Sequence, residues 1–305
     1  MHTISAKKDM RLPGIGRTFI TVLIHPCLLV RGIRCIWIIL TKFFLFQYRS
    51  ARIQHIPVSQ VEHELDSCIP FNPCFVRIYL DFTAFWIRIA GFFGIGNGKE
   101  GRKLAANFIS SITEIYSFAF QIYRKNLSTT ARPLHKKGFH FRLIHLVDPH
   151  LMCIPSLHVM LMVHSYTVFI HYIQMLGEED ALHDMADHVC KGALLITEAV
   201  LYVKQHSIIC IAAALYAMCC FDPKLFSAND AENFITSLFG AKEPGDIPAE
   251  YAPYYTKPLV NTEDSLKLHE YITSLFRHFM ETRNIDWTVP ILEYLKTLPQ
   301  NNRTK

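Results

Sequence analysis

Apolar residues in this chain gather into long runs. The clearest is Cys153–Leu176, 24 residues without one Asp, Glu, Lys or Arg, against the roughly 20 apolar residues that cross a bilayer. Gln205–Phe221 is uncharged over 17 residues. Cys74–Gly96, Leu104–Tyr123 and Val189–Val203 are apolar with one to three charges each, and a first apolar region from Thr18 to Tyr48 is interrupted by Arg31, Arg34 and Lys42. Together these runs predict an all-α polytopic membrane helix bundle of about six spans. A charge in mid-span costs about 2.5–3.5 kcal/mol. Arg77, Asp81, Arg88, Glu114 and Glu198 must therefore face protein, water or a partner, and Arg77 and Asp81 are spaced to pair one helical turn apart.

The pattern changes at Asp222. Pro223, Pro244, Pro248, Pro253 and Pro258 punctuate a polar stretch, and helical periodicity returns near Glu263–Arg283 and Val289–Leu298. Leu266, Leu268, Tyr271, Ile272, Leu275, Phe276 and Phe279 repeat at the 3.6-residue period of an amphipathic helix, which packs on the membrane domain or binds a partner. The expected organisation is an N-terminal anchor and first span region (1–64), a membrane catalytic core (65–221) and a polar, partly helical cytoplasmic tail (222–305). Six crossings put both termini on the cytoplasmic side, where lysine and arginine accumulate. Residues 47–73, 124–154 and 203–206 then lie on the extracytoplasmic face.

Composition narrows the class. With 50% hydrophobic, 12% aromatic and only 19% charged residues, disordered and solvated-coil readings fail. The mean hydropathy of +0.18 suits membrane spans joined to a polar part. Net charge divides as +8 over residues 1–221 and −3 over 222–305, so the basic residues sit with the apolar part. That bias points to anionic lipid heads or phosphate esters, and nucleic acid is not implied without a basic stripe. Lys7, Lys8, Arg11 and Arg17 before an apolar run imitate a signal sequence, but no small-residue cleavage site follows before Arg31, so the segment reads as a retained anchor. Nine cysteines show no Cys-x-x-Cys spacing; only Cys68 and Cys74 are placed to pair.

Three separated polar segments meet on the face drawn as extracytoplasmic. Lys125 and Arg132 are seven residues apart, two helical turns, and share one helix face, with Pro133 ending the element. Pro155-Ser156-Leu157-His158 opens the longest uncharged run, where a proline suits the first turn and free backbone N–H groups attract anions. Lys204-Gln205-His206 lies between the last two runs. Two cations, a helix N-terminus and two histidines suit phosphoryl transfer, which is mostly positioning and charge neutralisation. The plainer alternatives are interfacial anchoring for Lys125 and Arg132 and a satisfied bundle histidine for His158, as expected for His164 and His171. His183, Asp184, Asp187 and His188 have the spacing of a metal face but read as a solvated loop. Gly96-Asn97-Gly98-Lys99-Glu100-Gly101 spells a dinucleotide motif without its βαβ setting and reads as a turn.

Lys125-x6-Arg132-Pro133, Pro155-Ser156-Leu157-His158 and His206, in that order, resemble the three-part signature of the type 2 phosphatidic acid phosphatase superfamily. The Pro-Ser-Leu-His wording, Lys204-Gln205-His206 and Ile69-Pro70-Phe71-x-Pro73 are most similar to the branch containing inositol phosphorylceramide synthases. The resemblance covers residues 65–221. It implies a lipid phosphatase or phosphotransferase acting on a phosphorylated lipid without metal or cofactor. By that resemblance His206 is the nucleophile that forms a phosphohistidine, His158 the acid for the leaving alcohol, and Lys125, Arg132, Ser156 and Lys204 hold the phosphate. The third motif departs from the family's Ser-Arg-x5-His-x3-Asp: Ala199, Val200 and Cys210 stand at three of its four positions. The missing aspartate would orient the nucleophilic imidazole, which a thiol does poorly. A member that binds phospholipid without turnover is therefore the alternative. Glu198, eight residues before His206, substitutes only if the 203–206 corner folds back.

Overall fold

The structure is a computed structural model, and it describes residues 12–52, 56–96, 98–133, 138–240, 242, 246–255 and 259–300. Helix α1 (Ile15–Ile24) and helix α2 (Pro26–Ile38) are bent by 114° at His25–Pro26. The break has a local cause. Proline has no backbone N–H and suits a first helical position, so Pro26 starts a new helix rather than continuing the old one. α2 passes through a π-helical turn (Ile39–Leu45) into α3 (Phe46–Arg52). α4 (Val76–Leu80) and α5 (Phe82–Gly96) lead to the long α6 (Gly98–Tyr123). α1 packs on α5 so closely that a Cβ at Gly91 would meet the Thr18 hydroxyl at 2.0 Å. α2 packs along α6, and the cations that interrupt the first apolar region find hydroxyl partners there. Arg31 Nε donates to Ser110 Oγ at 3.0 Å, and Lys42 Nζ to Ser117 Oγ at 3.0 Å.

After α6 comes α7 (Phe139–Val147), then α8 (Leu157–Leu176), α9 (His183–Tyr202) and α10 (Ile208–Phe221). Ser156 caps α8 at its start, and Gly177 ends it in the left-handed conformation at φ 68°. α10 is the centre of the molecule: every residue from Ile208 to Cys219 is buried. α6 and α8 cover part of it, and α11 (Ala228–Ser237) and α12 (Thr262–Glu281) cover the rest. Leu268, Ile272, Leu275, Phe276 and Phe279 of α12 are all buried, each contributing about 1.5–3 kcal/mol relative to exposure. The amphipathic period read in the sequence is thus used to wrap the core. α13 (Thr288–Thr297) follows, with Trp287 stacked on Phe118 of α6 at 4.0 Å and its carbonyl accepting from Tyr216 Oη at 3.0 Å.

Two short strands, β1 (Val58–Gln60) and β2 (Leu127–Thr129), pair in parallel with Val58 opposite Leu127. Ser59 also bridges Gln300, and Ser128 bridges Met152. This small sheet departs from the purely helical expectation, and it is where the N-terminal, central and C-terminal parts meet.

Among the described residues two helical segments, Pro73–Gly96 and Leu157–Leu176, are long and apolar enough to cross a membrane; Ile15–Ile24 with Pro26–Arg52 makes a third if the bent pair counts as one span. That is consistent with a membrane protein. It falls short of the six crossings expected. α10, at 14 residues, is about 21 Å long against an apolar layer of about 30 Å, and protein surrounds it.

Candidate functional site

His206 sits at the corner between α9 and α10, buried, with its imidazole held at both nitrogens. Nδ1 lies 3.1 Å from the backbone carbonyl oxygen of Cys153, and Nε2 lies 3.3 Å from Nδ1 of His158. A carbonyl only accepts, so Nδ1 of His206 carries the proton and donates it. In the neutral ring Nε2 then holds the lone pair, which makes His158 Nδ1 the donor in the second bond. Burial first, and the neighbouring His158 and His150 next, hold the His206 pKa well below the ordinary imidazole range, so the ring is neutral at pH 7. Backbone, not a carboxylate, therefore sets the tautomer. The sequence pattern left the orienting position to Cys210; the Cys153 carbonyl provides it from another segment.

That carbonyl is placed by β2. Ser128 Oγ accepts from the N–H groups of Cys153 (3.0 Å) and Ile154 (2.8 Å), fixing the strand-like approach to α8. His158, in the first turn of α8, lies between aromatic rings, 4.7 Å from Tyr79 and 4.1 Å from Phe82.

A second group faces the histidines. Arg132 Nη2 donates to the Asp148 carbonyl at 3.1 Å and to Asp148 Oδ2 at 2.8 Å. Asp148 Oδ1 accepts from the His150 N–H at 2.9 Å, and His150 Nε2 lies 2.7 Å from Thr130 Oγ1. Burial would raise the Asp148 pKa, but the hydrogen bond from His150 and the Arg132 guanidinium outweigh it and hold the carboxyl well below the usual range. His150 is pushed down, chiefly by burial. His150 and Lys204 both have left-handed backbone, at φ 60° and 55°, a strained conformation for such residues of the kind that gathers at functional sites.

Asp148, His150, His158 and His206 line a cavity of about 20 Å³ with Gln47 and Tyr79. That is room for about one water. On the other side of His206 an open pocket of about 220 Å³ is lined by Glu62, Asp66, Thr130, Lys204 and Ser207.

The structure thus brings His206, His158 and Arg132 into one region, and it places the other expected site residues differently. α6 ends at Tyr123 and β2 is extended, so Lys125 and Arg132 do not share a helix face. Lys125 Nζ instead reaches Thr288 Oγ1 at 3.0 Å and Asp286 at 3.2 Å. Ser156 is buried, and its hydroxyl accepts from Val159 N at 3.5 Å as a helix cap. Lys204 borders the open pocket, but its ammonium donates to the carbonyls of Asp66 (2.6 Å) and Ile69 (2.5 Å). Cys210 is fully buried one turn into α10. Glu198 does not fold back to His206: it accepts from Lys242 Nζ at 2.6 Å and from Phe239 N at 2.9 Å. Asp81 pairs with Arg88 through both oxygens rather than with Arg77. Cys68 and Cys74 are both free thiols. His164 is satisfied within the bundle by Ser111 at 2.7 Å.

Among the described residues no group of three His, Cys, Asp or Glu side chains could hold a metal ion. His183, Asp184, Asp187 and His188 lie in the first turns of α9 rather than in a loop, where His188 pairs with Glu250 and Asp187 with Lys191. Asp148, His150, Gln47 and Tyr79 are site residues that motif reading missed. Asp148-Pro149-His150, six to eight residues before the Ser156 cap, was the available signal for two of them. Comparison with protein-family models, with curated proteins and with solved structures found no match.

Proposed function

We propose that the chain is a membrane-associated lipid phosphatase or head-group phosphotransferase working through a phosphohistidine on His206. The observation that carries the reading is the paired-imidazole arrangement: a neutral His206 whose Nδ1–H is tied to a carbonyl, leaving its Nε2 lone pair opposite a second, proton-bearing histidine. The lone pair attacks phosphorus as the ester P–O bond breaks. With the phosphate bound, His158 acts as the imidazolium, its Nε2 having taken a proton from the acidic phosphate group; the leaving oxygen takes the Nδ1 proton and leaves a neutral ring, a general-acid role typically worth about 10²–10⁴ in rate. Water or a second hydroxyl then attacks the phosphohistidine, returns its proton to His158 and restores His206. Water as acceptor gives a phosphatase, and a lipid or polyol hydroxyl gives a transferase. Arg132, joined to the histidine cavity through Asp148, supplies charge once it leaves that carboxylate. The resemblance in the three sequence motifs supports the same chemistry, with the active face extracytoplasmic and the termini cytoplasmic in the six-span form of the reading.

One observation favours the alternative, a member that binds phospholipid without turnover. The Arg132 guanidinium is already engaged by Asp148, and the cavity between the histidines holds about 20 Å³, so phosphate enters only after both rearrange. The deciding experiment presents a panel of lipid phosphates to the purified full chain and measures phosphate release, head-group transfer and an acid-labile protein-bound phosphate. Turnover and labelling that vanish in His206→Ala support the enzyme; lipid-phosphate binding with neither signal in the wild type supports the binder.

A further inference from the structure

Large apolar side chains are exposed almost entirely on one side of the molecule. Fifteen of the eighteen exposed ones among the described residues lie in Ile15–Tyr48 or in α7. On α2 and its continuation, Val30, Ile33, Trp37, Leu40 and Tyr48 form an outward stripe at helical spacing while the opposite face packs on α6. α7 adjoins the end of that stripe. Tyr48 Oη donates to the carbonyls of Leu146 and Val147 at 2.8 and 3.0 Å, and Leu146 itself is 75% exposed. The far side differs in kind. α11 and α12, which run beside the buried α10, turn outward charged residues including the pairs Arg277–Glu232 and Lys267–Glu263.

A protein that crosses a bilayer needs an apolar belt around its whole circumference, because charges facing lipid are costly. Here the exposed large apolar side chains are concentrated on α1–α3 and α7, with only Met175, Leu266 and Ile285 elsewhere among the described residues. Its charge is equally uneven: from Met10 to Val61 the sequence has no Asp or Glu, and Arg17, Arg34, Arg49 and Arg52 are exposed. An apolar face framed by exposed arginines and free of acids is complementary to an anionic phospholipid leaflet.

We propose that the chain docks from one side, laying α1, α2, α3 and α7 into an anionic leaflet without crossing it, an arrangement that replaces the six-span form of the reading. The histidine cavity lies directly behind this face, since Phe43 and Gln47 of the docking helices line it. A second cavity of about 320 Å³ opens on the face itself beside Arg49, a seat for a phosphate-bearing headgroup. Docking rests on the surface alone and holds whether or not the histidines turn over phosphate.

The test uses full-length protein added to preformed vesicles of phosphatidylcholine, with or without phosphatidylserine. Flotation is expected with the anionic vesicles and is weakened by salt. It is lost in Trp37→Glu and Leu146→Glu, and kept in Leu266→Glu on the outer face of α12. Arg34→Ala and Arg49→Ala each weaken it about fivefold. All these side chains are exposed, so the variants fold, and circular dichroism checks that they do. α6 lies alongside the docking helices and gives a ruler: Lys99 and Arg124, at its two ends, are about 37 Å apart. In Lys99→Cys and Arg124→Cys, each made with the exposed Cys27 and Cys74 changed to serine and read against that background alone, one-sided docking leaves both new thiols open to an impermeant maleimide on intact vesicles. Labelling at only one end, or flotation indifferent to Trp37→Glu and to lipid charge, overturns the proposal. Phosphate release measured on the same samples separates its failure from failure of the enzymatic reading.

Discussion

Replacing Cys210 with aspartate restores the carboxylate that the third motif of the resembled family carries, and the geometry predicts that the change harms the protein. Cys210 is fully buried among apolar residues of α10. His206 already donates its Nδ1–H to the Cys153 carbonyl, so the new carboxylate finds no imidazole donor and meets only the backbone N–H groups of Ser207 and of residue 210 itself. Full burial raises a carboxyl pKa by about 3–5 units, and those N–H groups bring it towards the lower figure. At about 1.36 kcal/mol per unit, three units cost about 4 kcal/mol at a pH above the raised value. With about 2–4 °C of melting temperature per kcal/mol for a large domain, that is a drop of about 8–16 °C. The sign has a signature. A carboxyl whose folded pKa is raised binds its proton more tightly in the folded state, so the penalty is absent below the unfolded value near 3.9 and grows as pH rises towards the folded one. Thermal melts of Cys210→Asp and the uncharged Cys210→Asn should therefore diverge at pH 8 and converge towards pH 5. Equal stability of the two at pH 8, with faster phosphate turnover in Cys210→Asp, would refute the reasoning and show that His206 turns to the carboxylate.

Three further outcomes follow from the same geometry. Lys125→Ala should leave phosphate turnover intact and cost less than about 1 kcal/mol in a denaturant titration, since its exposed pairing with Asp286 is of the weak surface kind. Ser128→Ala strips the acceptor from the buried Ile154 N–H and leaves the Cys153 N–H only the Ser128 carbonyl at 3.3 Å, at about 1–3 kcal/mol; it should lower the melting temperature and turnover together, because the carbonyl that orients His206 loses part of its support. Stability should also fall on mild acidification. His150 and His206 have folded pKa values depressed by burial, so the unfolded chain takes up protons first; their contribution is complete above about pH 6.5 and is lost below it, and Asp148 adds a second loss below about pH 3.9. Melting temperatures flat from pH 6.5 to 5 would contradict this.

Much of the helical framework was legible because it depends on apolar period and on proline. The uncharged run before Leu176 became α8, Pro26 and Pro155 mark helix starts, and the 3.6-residue repeat around Leu268–Phe279 became α12. The period shows that a helix has an apolar face and not whether lipid or protein covers it, so the sequence of α10 did not show that α11 and α12 cover part of it. At the site, His206 and His158 could be found from their neighbours in sequence. The extended β2 could not, since nothing in Leu127–Thr129 distinguishes a continuing helix from a strand, and Lys125 was misplaced with it. The group that orients His206 is a main-chain oxygen, which no side-chain pattern can announce.

The parallel pairing of β1 with β2 has a consequence for the order of synthesis. Ser59 Oγ donates to the carbonyl of Leu295, 236 residues later, and α10 lacks most of its outer cover until α12 has been made. A chain leaving the ribosome must carry its most apolar helix uncovered through the translation of some sixty more residues, and contacts that distant form slowly. Until Phe279 and Leu295 emerge, α10 is the segment a chaperone or an insertase would have to hold, and a chain released before them has no surface with which to bury it.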